Sequence, residues 1–237
     1  MIRAFSFTAC LLQLVMPGSA TPWYAVTSAT EPKVVCIDPG HPSENGVGTR
    51  GKKMTEVHMA WLVAQRLKSE LEDAGIKVVL TKERERQTVT NKRRAEIANE
   101  AEAALFVRLH CDSAVSSGLA TYYPDRAVKL KDFTGPSKEV REASKLAASA
   151  LHPEVIRVLD GKLKDRRLHT DRSTAIGGRQ GALTGSIYAK VPVVLIEMCV
   201  LTNAHDEKFA NSKDGPAQLA KAISAGVQKA LAALEAK

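Results

Sequence analysis

Three short apolar runs in this 237-residue chain each lead to a side chain able to bind a metal or move a proton. V-V-C-I-D-P-G-H delivers His41, A-A-L-F-V-R-L-H delivers His110, and V-P-V-V-L-I-E delivers Glu197. Runs without polar alternation, too short for helices, read as strands buried on both faces. Pro39 cannot donate to a ladder and Gly40 tolerates unusual backbone angles, so the chain leaves the sheet just before His41. If the strands are parallel neighbours, the three side chains gather at their carboxyl edge, where open α/β sheets place ligands. Glu56 joins them from a helix. Two imidazoles and two carboxylates at one edge suit a hydrolytic zinc centre: three protein ligands, an open position for water and an acid/base beside it. The residues alone leave other roles open. Glu56 could simply favour a helix dipole, and Glu197 could face solvent or pair with an arginine. Glu44 competes as a carboxylate ligand, but its glycine-rich loop has nothing to hold its direction.

The elements that must position these groups follow from periodicity. A helix is predicted over 55–74, stopped by Gly75, with Ala60, Val63, Ala64, Leu67, Leu71 and Ala74 on one stripe. Four residues back from Ala60 lies Glu56, which therefore faces inward in the first turn, while His58 falls on the solvent side. Strands are expected over 76–81, 103–110, 118–123 and 191–198, the third being rich in β-favouring residues. Further helices are expected over 88–100, lying against a sheet edge, over 137–151 and over 218–234. Residues 153–190 are basic and glycine-containing, and read as mobile loops around a site. His152 and His205 read as surface residues, and His169 as a residue of the basic loop, for which an approach to substrate is the minority reading. The alternation predicts one α/β domain, with helices on both faces of a twisted, mostly parallel mixed sheet.

The totals narrow the function. A chain this long with 44% hydrophobic and 25% charged residues is an ordinary globular protein with a full core. Its net charge of +8 favours anionic partners, but nucleic acid is a poor choice because aromatics are only 5% and no nucleic-acid module is present. Arg3, the apolar run 4–16 and the small residues up to Ala20 form a secretory signal, leaving a linker over 21–32 and a domain from 33 to 237. The run is too short to anchor the chain in a bilayer, so the mature protein is expected in the periplasm or outside the cell, without an integral membrane segment and as a monomer. Beyond the signal, Cys36, Cys111 and Cys199 read as buried small hydrophobes, with one disulfide permitted.

The ordered motifs V-V-C-I-D-P-G-H, T-E-V-H-M-A-W-L-V-A, V-V-L-T-K, A-N-E-A-E-A-A-L-F-V-R-L-H-C-D-S, G-L-A-T-Y-Y and P-V-V-L-I-E-M-C-V-L-T-N resemble the zinc-dependent N-acetylmuramoyl-L-alanine amidases of the amidase 3 family. The resemblance spans about 34–234. It implies a twisted mixed sheet flanked by helices, zinc held by His41, Glu56 and His110, Glu197 as the catalytic glutamate, and peptidoglycan or muramoyl-peptide fragments as substrate. The chain departs from the family pattern at Pro42-Ser43, where a glycine pair is usual, and at Arg108, where a small or apolar residue is usual. It departs again at Cys111, which could crowd the metal, and at Met198-Cys199-Val200. Residues 153–190 match poorly. Another exported zinc hydrolase, such as a peptidase or deacetylase, and an inactive wall-binding module are the alternatives. A Ser-His-Asp hydrolase is disfavoured because no G-x-S-x-G elbow occurs.

Overall fold

The apolar runs become the centre of one sheet in the computed structural model, which describes residues 32–237. In chain order the first elements are β1 (Val34–Pro39), α1 (Glu56–Asp73), β2 (Lys77–Leu80), α2 (Asn91–Glu100), β3 (Leu105–Asp112) and β4 (Leu119–Tyr123). Then come β5 (Val128–Lys129), β6 (Thr134–Gly135), α3 (Lys138–Leu159), β7 (Asp165–Thr170), α4 (Ala175–Gln180) and α5 (Thr184–Tyr188). The chain finishes with β8 (Val193–Val200), α6 (Ala204–Ala210) and α7 (Gly215–Glu235). The secretory signal and all but the last residue of the linker lie outside the described residues.

The main sheet has the order β2-β1-β3-β8-β4-β7. β2, β1, β3 and β8 run parallel, β4 is antiparallel to β8, and β7 is parallel to β4. The expected mixed, mostly parallel α/β sheet is therefore what forms. A short hairpin of β5 and β6 stands apart from it. On one face Val35, Ile37, Leu105, Val107, Leu109, Val194 and Ile196 pack under the buried stripes of α1, α3 and α7. The other face packs Cys36, Phe106 and Val193 against Ala95 and Ala98 of α2. α2 thus covers a sheet face, correcting the edge placement expected for it. The reason is Arg94: an arginine on the inward side looks like a polar interruption, yet it is buried against Asp38.

Four further expectations change. β3 and β8 do not end at His110 and Glu197 but continue to Asp112 and Val200, so both residues project from within strands. α3 passes through Pro153, because Leu151, Val155 and Leu159 continue its buried face against α7. Residues 153–190 are largely regular, holding β7, α4 and α5. β7 was hidden because D-R-R-L-H-T lies at a sheet edge, where charge replaces apolar alternation. His152 is buried rather than on the surface, bonded to Thr121 Oγ1 at 2.9 Å and to Asp165 Oδ1 at 2.9 Å.

Candidate active site

β1 positions His41 through a buried ionic cluster beneath it. Asp38 is fully buried between Arg94 Nη1 and Arg108 Nε, the latter at 2.9 Å. Arg94 also donates to the carbonyls of Pro39, at 2.8 Å, and Pro42, at 2.9 Å, so one guanidinium clamps the backbone on both sides of His41. The Lys82 ammonium holds the His41 carbonyl itself. Burial pushes the Asp38 carboxyl up, but Arg94 and Arg108 outweigh it and hold it below the usual carboxylate range. The departure at Arg108 is therefore part of this cluster, and its Nη2 donates to Asn91 Oδ1 at 2.6 Å. Glu44 is occupied elsewhere, accepting from Asn91 N at 2.9 Å, so it does not compete as a ligand.

Glu56 arrives as the helical spacing requires. Thr55 caps α1 by accepting from His58 N, and Glu56 turns inward with almost no exposure. Its Oε2 accepts from Thr49 N at 2.7 Å; its Oε1 accepts from Cys111 N at 3.1 Å and lies 2.9 Å from His110 Nδ1 and 3.6 Å from His41 Nε2. Burial raises the Glu56 carboxyl, yet the hydrogen bond and charge of His110, the charge of His41 and the Thr49 N–H bring it below its ordinary value. Burial in turn lowers the His110 imidazole, with Glu56 only partly offsetting it. His58 is exposed and pairs with Glu85.

Two glycines let the groups approach. A Cβ on Gly40 would lie 2.6 Å from His110 Cε1, and one on Gly48 would lie 2.5 Å from Glu56 Oε2. Gly48 also has φ +76, a region that other residues enter at a cost. The Pro42-Ser43 departure leaves the loop closed, with Ser43 and Gly46 exchanging backbone hydrogen bonds and the Gly46 carbonyl 3.0 Å from His41 Nδ1. Cys111 does not crowd the site; its thiol lies in the core, 3.7 Å from that of Cys199. All three cysteines among the described residues are free and buried.

One ligand atom from each of His41, Glu56 and His110 falls within a 4.8 Å group. Two imidazole nitrogens and a carboxylate oxygen are the donor set of a catalytic zinc or a similar divalent ion. His41 fits this role further, since its remaining ring nitrogen meets a backbone carbonyl, the usual outer partner of a metal-binding histidine. Glu197 stands opposite His110 in the β3–β8 register and lines the same cleft of about 520 Å³. Its Oε2 is buried without a protein partner among the described residues. Burial, followed by the charges of Glu56 and Asp112, pushes the Glu197 carboxyl well above the ordinary range.

The cleft also contains residues that sequence reading passed over: Asn91, Asp112, Tyr122, Arg166 and Thr174. Asn91 and Asp112 adjoin segments with a clear pattern, but polar residues in a charged helix and at a strand end carry no signal of direction. His169 stacks on Tyr122 at 5.5 Å and reaches the cleft only through that ring. Among the described residues no helix is long and apolar enough to cross a membrane.

Comparisons with known proteins identify the family. The family model described as N-acetylmuramoyl-L-alanine amidase matches residues 35–229. The YqiI protein of Bacillus subtilis (strain 168) is 26% identical over 90% of this chain and 94% of its own length. The N-acetylmuramoyl-L-alanine amidase AmiA of Escherichia coli (strain K12) is 25% identical over 82% of this chain and 75% of its own. The solved catalytic domain of CwlV, an N-acetylmuramoyl-L-alanine amidase from Bacillus (Paenibacillus) polymyxa var. colistinus, superposes with a TM-score of 0.65 at 27% identity, covering 83% of this chain and 96% of that one. With the match extending over the sheet, α1 and the cleft, the chain belongs to the N-acetylmuramoyl-L-alanine amidase family.

Proposed function

We propose that His41, Glu56 and His110 hold one zinc ion and that Glu197 carries the proton in the family's reaction. That reaction is hydrolysis of the amide between N-acetylmuramic acid and L-alanine in peptidoglycan, and family membership makes the chain such an amidase. The observation that carries the residue assignment is the juxtaposition of the three-ligand group with Glu197 across one strand pair. A zinc ion bound there supplies Lewis-acid polarisation and makes water acidic near neutral pH. The chain's own residues do the rest. Glu56, held by the N–H groups of Thr49 and Cys111, stays ionised and keeps both histidines oriented. Glu197, buried and with one oxygen unengaged, takes the attacking water's proton and returns it to the departing alanine nitrogen, a role worth about 10²–10⁴-fold.

Family membership favours this reading over a peptidase or deacetylase. The test is which bond breaks: digested wall should gain free alanine amino termini and no new amino sugars. Glu197→Gln should retain the metal and lose turnover by about 10²-fold or more. Release of stem peptides by that variant at the wild-type rate overturns the Glu197 assignment. The substrate lies in the cell envelope, and the apolar run 4–16 followed by Ala20 supports export with cleavage there. Sequencing the exported protein should find Thr21 first. One chain supplies all four site residues, which supports a monomer as the working unit.

A further inference from the structure

Arg166 is a charged residue of the cleft that the reaction above leaves unused. It belongs to the edge strand β7, two strands from Glu197, yet it lines the same cleft as Glu197, His110 and Tyr122. A regular strand does not account for that placement. The β4–β7 register slips between Leu119 and Thr121, and Arg167 adopts φ 75 while its N–H donates to Asp165 Oδ1 at 2.6 Å. Such a bulge re-aims a neighbouring side chain, and bulges are concentrated beside active sites. His169 reinforces the turn: its Nε2 lies 2.6 Å from the Arg166 carbonyl, and its ring stacks on Tyr122.

The guanidinium is held on one side only. Nη2 donates to Asp112 Oδ2 at 2.7 Å, whereas Nη1 is buried with no protein partner among the described residues. Arg108, the other arginine of the cleft, is already engaged by Asp38 and Asn91. A planar cation fixed at one nitrogen and undonated at the other is suited to a second carboxylate.

Resting on the amidase reading of the cleft, we propose that Arg166 receives a stem-peptide carboxylate close to the scissile bond and selects substrates in which that group is a free acid. The residue after L-alanine in stem peptides carries such a group, either free or as a primary amide. An amide would turn N–H donors, or a neutral oxygen, toward a donor-only guanidinium. A site built around the ionised group discriminates against that partner.

The test compares N-acetylmuramoyl-L-alanyl-D-isoglutamate with its isoglutamine counterpart, using the zinc-loaded protein. Wild type should favour the acid by about 10- to 100-fold in kcat/KM, expressed mainly in KM. Arg166→Gln should lose that preference by falling on the acid alone, and Arg166→Lys should recover part of it. Calorimetric titration of the product L-alanyl-D-isoglutamate against its amide gives a readout independent of turnover. If the glutamine variant does not fold, the wild-type binding preference and its reduction in Arg166→Lys decide the matter. Equal wild-type turnover of both substrates, or an equal fall on both in Arg166→Gln, overturns the subsite and leaves the amidase reading standing. Wild-type protein that cleaves neither overturns both.

Discussion

Glu56 shows how much of the site is set by single residues. Its position was legible from the period of 3.6 alone, four residues before Ala60, because a helix with one apolar stripe has no freedom to turn that residue outward. His41 was legible for a different reason, since Pro39 and Gly40 mark where the strand must stop. Gly40 also has a role that no periodicity reveals: it admits the His110 ring, whose Cε1 lies 2.6 Å from where a Cβ would stand. Gly40→Ala should therefore displace His110 and weaken zinc binding by at least about tenfold, as loss of a metal-orienting contact does. Competition with a calibrated chelator measures it. Unchanged zinc affinity would mean that the ring has room to yield. His110→Ala should lose metal and turnover together, in contrast to Glu197→Gln, and metal analysis beside a rate assay separates the two.

Between elements, the Asp38 cluster ties β1, α2 and β3 together under the His41 loop. Asp38 and Arg108 stand out in the sequence, one as a motif residue and the other as a departure. Arg94 escaped because charge on the inward face of a helix reads as solvent exposure unless its partner is known. Removing one partner of a buried pair leaves an uncompensated charge, so Arg94→Ala should lower unfolding stability by about 3–5 kcal/mol in urea titration. A loss below ~1 kcal/mol would show that water replaces the guanidinium without cost. The pH dependence has a definite sign. The Asp38 carboxyl titrates lower in the folded chain than in the unfolded one, where it has the ordinary value of 3.8. Its contribution is thus complete above pH ~4 and is lost as the pH falls through the folded value. Arg108→Leu removes one of the lowering charges, so acid unfolding should begin at a higher pH, followed by circular dichroism. Onset at the wild-type pH would show that Arg94 alone suffices.

At the scale of the whole molecule, the central sheet was legible because its inner strands are buried on both faces and read as unbroken apolar runs. The far edge was not. β7 is short and charged, and the bulge at Arg167 that turns Arg166 toward the cleft follows from tertiary pairing rather than from local composition. The segment after β7 is fastened by Asp171, whose Oδ2 accepts from Leu183 N at 3.0 Å. Burial pushes the Asp171 carboxyl up to about 6 against the lowering effect of that N–H. A folded value above the unfolded 3.8 means that its contribution to stability is complete below pH ~3.8 and is lost as the pH rises through 6. Asp171→Asn should flatten this part of the stability profile, read by urea unfolding at pH 4.5 and 6.5. A variant whose two values differ as much as those of wild type would assign the slope to other groups. In the proposed centre, two imidazoles and the first-turn acid of α1 share one divalent ion. Anomalous scattering at the zinc edge from a zinc-soaked crystal tests it most directly. One strong peak should lie about 2.0–2.2 Å from a nitrogen of His41, a nitrogen of His110 and an oxygen of Glu56. A map with no peak among those three side chains, or with its strongest peak on other residues, would contradict it.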